Sequence, residues 1–207
     1  MKRKGLIIVI SAPSGGGKTT VIKKLLAECD GLALAVTATS RPMRNGEVDG
    51  KDYYFFSKDE FAKKIEEGFF WEHVNYCGNY YGVPKDLTLR EIEKGKDLIL
   101  NIETLGMRAV KKTNPDDVVS VFLMIRSKEE LKKRLEGRGD DAAVIADRLS
   151  NAGNEAKNYS EYDYCVFNDN VDETVAEIKA IIMAERKKTS RYIGLDELVK
   201  KEFPVKR

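Results

Sequence analysis

The sequence predicts an α/β fold, a parallel sheet flanked by helices, and three consecutive stretches carry that prediction. Leu6-Ile7-Ile8-Val9-Ile10 is an unbroken apolar run with the length and branching of a strand buried on both faces. The glycine-rich segment Ser11-Ala12-Pro13-Ser14-Gly15-Gly16-Gly17-Lys18-Thr19-Thr20 follows directly. Val21-Ile22-Lys23-Lys24-Leu25-Leu26 then repeats apolar residues at helical spacing. Strand, glycine turn and helix in that order are the context a phosphate-binding loop requires. Glycines let the backbone curl so that successive N–H groups converge on an anion, and the helix N-terminus adds partial positive charge. Within such a loop, Ala12 to Thr20 would wrap a triphosphate, Lys18 would reach its β- and γ-phosphates, and the Thr19 hydroxyl would ligate Mg²⁺. The first glycine of the G-x-x-x-x-G-K-[ST] pattern is Ala12, at a position that accepts a small residue of negative φ. A connector that merely ends in Gly-Lys-Thr is the bland alternative, and the flanking strand and helix weigh against it. The expectation is a chain that binds a nucleoside triphosphate.

Length and composition set the frame for this loop. A chain of 207 residues is read as one compact domain with room for a sizeable core. Hydrophobic residues make up 42% and charged residues 34%, the balance of a soluble globular protein. A net charge of +2 gives no bulk electrostatic case for nucleic-acid binding, so basic residues act by placement. No apolar run approaches the roughly 18 residues that span a bilayer. Met1-Lys2-Arg3-Lys4-Gly5 leads straight into the first strand, which leaves no room for a signal peptide. Cys29, Cys77 and Cys165 are odd in number and widely spaced, so buried free thiols in a reducing cytoplasm are expected and a zinc site is not.

After the first helix, Leu32-Ala33-Leu34-Ala35-Val36-Thr37 reads as a second strand. The polar, turn-rich segment from Thr39 to Tyr53 carries Arg41 and Arg44 with Glu47 close behind. Arginine's planar fork suits a phosphate dianion, and two forks on one irregular loop suggest a second anion site. An ordinary solvent-facing loop fits the spacing equally well. Tyr53-Tyr54-Phe55-Phe56 is strand-like, and Ser57 with Glu60 forms a capping box for a helix over Phe61 to Glu67, ended by Gly68. Phe69-Phe70-Trp71-Glu72-His73-Val74 reads as a strand, followed by Gly78-Asn79-Tyr80-Tyr81-Gly82-Val83-Pro84. A carboxylate at Glu72 amid aromatic residues either faces water on an alternating strand or meets a donor-rich ligand edge. His73, the only histidine, would face the opposite side and is read as structural.

The loop Ser-Ala-Pro-Ser-Gly-Gly-Gly-Lys-Thr, the segment Thr-Ser-Arg-Pro-Met-Arg-Asn-Gly-Glu with Gly-Lys-Asp-Tyr behind it, and Gly-Asn-Tyr-Tyr-Gly together resemble guanylate kinase. Leu131-Lys132-Lys133-Arg134-Leu135-Glu136-Gly137-Arg138-Gly139 and Val166-Phe167-Asn168-Asp169 extend the likeness, which runs from about residue 6 to about residue 187. The resemblance implies a P-loop NTPase-type parallel sheet with a mixed α/β GMP-binding arm over about 35–85 and a helical lid over about 127–158. The core would comprise 1–34, 86–126 and 159–187, with a tail at 188–207. Arg41, Arg44, Tyr53 and Tyr81 would hold the GMP phosphate, and Glu72 would accept from guanine N1–H and the N2 amino group. Thr37 keeps the hydroxyl that the family has there. Arg134 and Arg138 would lie near adenine and phosphates, Arg148 across the transferred group, and Asn168 against the ATP base. Lys18, Arg44, Arg138 and Arg148 would carry catalysis, with Mg²⁺ held by Thr19 and, through water, by Glu103.

Several positions depart from the family pattern. Val83 stands where a Ser or Thr donates to the base, Asn101 where an acid is usual, and Leu105 where a glutamine precedes Gly106; Pro42 directly follows Arg41. Losing one neutral hydrogen bond of about 0.5–1.5 kcal/mol would weaken guanine binding about tenfold and leave phosphoryl transfer intact. Helices are expected over Glu103–Lys112, over Asp140–Asn158 in the lid and over Val171–Lys187. Core strands are expected over Val118–Ile125 and Tyr162–Phe167, and a basic tail, either a short helix or disordered, beyond Lys188.

The expected reaction is ATP and GMP to ADP and GDP in the cytoplasm, without nucleic-acid or membrane partners. Use of dGMP, monomeric or dimeric state, and the role of the tail stay open. A related kinase of another phosphorylated acceptor, such as a ribose bisphosphate, and a non-catalytic guanylate-kinase-like module are the rivals. Glu72 with both arginines argues against the first, and an intact Gly17-Lys18-Thr19 against the second.

Overall fold

The computed structural model describes residues 1–76, 78–137 and 141–204. Strand β1 (Ile7–Ser11) is buried throughout and leads through the glycine loop into α1 (Lys18–Glu28). The chain returns as β2 (Leu32–Leu34). Short strands β3 (Ala38–Thr39) and β4 (Tyr54–Phe55), helix α2 (Lys58–Glu66) and the hairpin of β5 (Phe70–Tyr76) and β6 (Asn79–Pro84) come next. Helix α3 (Lys85–Glu93) then leads to β7 (Asp97–Leu100), α4 (Thr104–Thr113) and β8 (Val118–Met124). Helices α5 (Lys128–Glu136) and α6 (Ala142–Ala156) precede β9 (Tyr164–Phe167), α7 (Val171–Glu185) and α8 (Leu195–Glu202).

Five strands form a parallel sheet in the order β2-β7-β1-β8-β9, and four form a second, mixed sheet in the order β4-β3-β6-β5. Alternation along β1 explains why the first sheet is covered on both faces. Ile8 and Ile10 point into a cluster with Val21, Leu25, Ile178 and Ile182 of α1 and α7. Ile7 and Val9 point the other way, against Ile92, Met107 and Val110 of α3 and α4. The second sheet has its own aromatic centre, where Phe61 of α2 stacks between Phe70 at 4.4 Å and Tyr80 at 5.4 Å.

The elements differ from the sequence reading at their ends and at one whole helix. The strand expected over Leu32–Thr37 divides: Leu32–Leu34 joins the first sheet, Ala38–Thr39 the second, and Ala35–Thr37 cross between them. Helix α2 starts at Lys58, earlier than Phe61, because the Ser57 Oγ accepts from the Glu60 amide and the Glu60 carboxylate from the Ser57 amide. Helix α3 has no counterpart among the expected elements. Pro84 stands at its N-cap and the Thr88 hydroxyl donates back to the Pro84 carbonyl at 2.7 Å. The lid helix stops at Ala156 and continues as a 3₁₀ turn, and the last strand begins only at Tyr164. Cys165 is exposed on that edge strand, against the expectation of burial, whereas Cys29 is buried; Cys77 lies outside the described residues. The tail resolves the open alternative as a helix, α8.

A fully buried carboxylate ties the chain ends to the sheet. Asp97, at the start of β7, accepts two bonds from Arg3 at 2.7 Å each, one from Arg186 Nε at 2.7 Å and one from the Leu6 amide at 2.9 Å. Replacing Asp97 with alanine leaves two guanidinium groups without their counter-charge. That substitution should lower unfolding free energy by about 3–5 kcal/mol, read from urea denaturation.

Candidate active site

The phosphate loop takes its shape from two glycines in the left-handed region, Gly15 at φ +88° and Gly17 at φ +84°. A Cβ at Gly17 would also lie 2.5 Å from Asn168 Nδ2. Within the loop the Gly16 amide donates to the Pro13 carbonyl at 2.7 Å. From below, Asn168 Nδ2 donates to the Gly16 carbonyl at 2.7 Å, while Asn168 Oδ1 accepts from the Thr174 hydroxyl at 3.1 Å. The resemblance sends Asn168 to the ATP base; the structure turns its side chain under the loop, 2% exposed, with both ends bonded. Arg134 is likewise held internally, by Glu130 at 2.9 Å and by the Asn168 carbonyl at 2.7 Å. Arg148 lies half-buried on α6, and Arg138 is outside the described residues.

Helix α1 opens just past the loop, so the amides of Lys18 and Thr19 have no carbonyl four residues back inside the helix. Thr19 and Thr20 are exposed at this opening. The Lys18 ammonium reaches across to the Glu103 carboxylate at 2.5 Å, joining the loop to the N-terminus of α4. Thr19 and Glu103 offer hard oxygen donors, the kind Mg²⁺ takes, and among the described residues no group of three His, Cys, Asp or Glu could hold a metal alone. That donor set fits an ion carried mainly by substrate phosphates and water.

Opposite the loop lies a cavity of about 310 Å³ between the two sheets. Thr37, Tyr53, Glu72, Tyr81, Val83 and Asn101 line it, six of the residues expected to meet the second substrate. Glu72, His73 and Val74 all border it, and His73 is exposed. The pairing of β5 with β6 slips between Phe70 and His73, the stretch that carries Glu72. Arg41 flanks the cavity mouth, its guanidinium 5.1 Å from the Tyr53 ring centre. Glu47 grips that guanidinium through both carboxylate oxygens and also accepts from the Arg44 amide at 2.7 Å. The Arg41 hydrogen bonds, then the Arg44 amide, hold the Glu47 carboxyl down at about 2, and the same pairing raises Arg41. Arg44 itself is exposed.

Glu72 is the electrostatic oddity of this cavity. Burial, reinforced by the Glu103 charge and opposed by Lys18, pushes its carboxyl from 4.5 up to about 7. Its carboxyl has room because residue 106 is glycine: a Cβ there would lie 1.9 Å from Glu72 Oε2. Leu105, beside it, is 74% exposed.

A nucleotide loop facing an arginine-rimmed cavity with one half-buried acid has counterparts among known proteins. A family model described as guanylate kinase matches residues 4–185. The chain belongs to the guanylate kinase family. The guanylate kinase of Lactococcus lactis is 46% identical over 194 residues, covering 93% of this chain and 94% of that one. That of Clostridioides difficile is 44% identical over 191 residues, covering 92% and 93%. The crystal structure of guanylate kinase from Anaplasma phagocytophilum matches with a TM-score of 0.75 at 36% identity, over 100% of this chain and 99% of that one.

Three contributors to this guanylate-kinase site have no role assigned by the sequence. Glu47 is visible as an acid near the arginines, but its bidentate grip depends on a turn. Gly106 and Glu155, whose carboxylate accepts from the Ser14 amide at 2.7 Å, leave no sequence signal because their partners are distant. The raised Glu72 has a consequence with a definite sign. Between pH 4.5 and 7 the native state binds more protons than the unfolded chain, so ionising Glu72 lowers stability as pH rises through that window. Glu72→Gln should match the wild type near pH 4.5 and exceed it above pH 7 by about 1–3 kcal/mol in urea titrations.

Proposed function

We propose that this guanylate kinase transfers the γ-phosphate of ATP to GMP, giving ADP and GDP, with the glycine loop as donor site and the cavity between the sheets as acceptor site. The observation that carries the assignment of the cavity is Glu72. A carboxylate aimed into a partly apolar cavity, with no hydrogen-bond partner among the described residues, is matched by the adjacent N1–H and N2 amino donors of guanine. Adenine offers neither donor on that edge. Val83, 2% exposed, cannot donate to the base, so discrimination rests the more heavily on Glu72.

Tyr53 and Tyr81, which line the cavity, with Arg41 against Tyr53 and Arg44 on the same loop, suit the acceptor's phosphate: two guanidinium forks and two phenols. Glu47 supports this role for Arg41 by fixing its orientation before substrate arrives, which lowers the ordering cost on binding. In the reaction an acceptor phosphate oxygen attacks the γ-phosphorus in line. That oxygen is already anionic near neutral pH, so no general base is required, and His73 needs no role. Lys18, held by Glu103 in the free enzyme, exchanges that partner for the donor's phosphates, and Arg44, Arg138 and Arg148 spread positive charge over the transferred group. Thr19, and Glu103 through water, would hold Mg²⁺, which would supply further neutralisation of phosphate charge. Asn101, neutral and exposed at the end of β7, faces the acceptor without adding charge. We assign the enzyme to the cytoplasm; no helix among the described residues is long and apolar enough to cross a membrane.

A coupled ADP-release assay with GMP, dGMP, AMP, UMP and ribose 1,5-bisphosphate should give a kcat/KM for GMP at least about 100-fold above that for AMP. Equal turnover of GMP and AMP, or preference for the ribose bisphosphate, would overturn the reading. Because guanine requires ionised Glu72, the KM for GMP should climb as pH falls below 7, and Glu72→Gln should lack that component of the profile. Gly106→Ala should raise the KM for GMP at least tenfold with little change in the KM for ATP, since only the Glu72 carboxyl must move.

A further inference from the structure

Helix α6 rides on α5 through Leu131, Leu135, Ile145 and Ala152. Toward the phosphate loop its packing is looser. A cavity of about 170 Å³ is lined by Pro13 and Ile125 on one side and by the small residues Ala152, Gly153 and Ala156 of α6. A Cβ at Gly153 would meet nothing within 4 Å. At the edge of this gap the half-buried Glu155, in the last turn of α6, accepts a hydrogen bond from the Ser14 amide at 2.7 Å. A charge-assisted bond of that kind is roughly twice as strong as a neutral one.

The position of the bonded amide matters. Ser14 precedes the glycines, so Glu155 holds the outer limb of the loop and leaves the amides that open α1 available to phosphate. The position of Glu155 on its helix matters as well. Arg148 lies seven residues earlier, close to two full turns, and therefore on nearly the same face about 10 Å away along the axis. A tilt of the helix at Ser14 is passed directly to Arg148.

We propose that Glu155 is a positioning residue: by holding the Ser14 N–H it seats α6 on the phosphate loop and thereby aims Arg148 at the transferred phosphoryl group. The inference rests on the reading of the loop as the ATP site and is independent of the acceptor's identity.

The test uses the full chain with Glu155→Ala, Glu155→Gln and Glu155→Asp. Two readouts apply: steady-state kinetics with ATP and GMP, and amide hydrogen exchange across Ala142–Ala156 with and without ATP alone. Glu155→Ala should lower kcat about tenfold, leave the KM for GMP within twofold, and lose the ATP-induced slowing of exchange in α6. Glu155→Gln keeps an accepting carbonyl oxygen and should recover kcat to within threefold of wild type, together with the slowing. Glu155→Asp keeps the charge but withdraws the oxygen by about 1.5 Å, and should behave like Ala. A purely structural role would lower thermal stability and the fraction of chains that bind ATP while leaving kcat per binding site unchanged, and that result overturns the proposal. So does Gln as impaired as Ala, or Ala with wild-type kcat. Should Ala not fold, the Asp and Gln variants decide: Gln active with Asp impaired supports the proposal, and any other ordering overturns it. Failure of the wild type to phosphorylate GMP would remove the acceptor assignment only; exchange with ATP alone would still decide the role of Glu155.

Discussion

Parallel pairing of β1 on both sides is the constraint from which the site is hung. Ile7 sits opposite Leu98 of β7 and Val118 of β8, and that register runs to the C-terminal end, where Ser11 sits opposite Phe122. Parallel strands in register end on one edge of the sheet, and the loops leaving them gather there. After β1 comes the glycine loop, after β7 come Asn101 and Glu103, and after β9 comes Asn168. The Lys18–Glu103 pair and the Asn168–Gly16 bond are thus consequences of sheet register, made between groups far apart in the chain. Ser11 adds a further tie by donating to the Ile102 carbonyl at 2.9 Å.

The second sheet obeys a different logic. Its job is to present side chains over a gap, and it does so with an irregular strand. The slip in β5 falls between Phe70 and His73, the stretch that carries Glu72 to the space between the sheets. The cost appears as the raised Glu72 carboxyl, a group left half-buried and incompletely satisfied in the free protein. Such a group is unfavourable alone and becomes favourable only when a donor-bearing ligand arrives, which is how differential affinity between ligands is built. Arg41 is in the opposite condition, since Glu47 satisfies and orients its guanidinium in the free protein.

Local chemistry is legible in the sequence and long-range geometry is not. The loop can be read because its glycines, Lys18 and Thr19 are contiguous with the strand before and the helix after, and because glycine and lysine there have few other uses. The Ser57–Glu60 box is legible for the same reason, although it starts the helix earlier than the apolar spacing suggests. Helix α3 escapes a sequence reading because its polar surface dilutes the periodic signal, and its start depends on Thr88 bonding back to Pro84. Asn168 is expected at the sheet edge and lies there, but with a different partner: nothing in Val-Phe-Asn-Asp says that the side chain turns under the loop. Glu155 and Gly106 matter only through neighbours 141 and 34 positions away, Ser14 and Glu72, and no spacing rule reaches so far.

The network at Asp97 changes where this protein should be considered to end. The match to the family model stops at residue 185, yet Arg186 completes the shell around Asp97 and Arg191 reaches Asp117 at 3.1 Å. The same stretch is stitched backbone to backbone onto the N-terminus, Lys4 to Arg191 and Ile193 to Lys2. Trimming the chain at the family boundary would take Arg186 from the buried Asp97 carboxylate and Arg191 from Asp117. The segment beyond the last sheet-packing helix is a seam of the folding unit, sewn on the side of the sheet away from the chemistry.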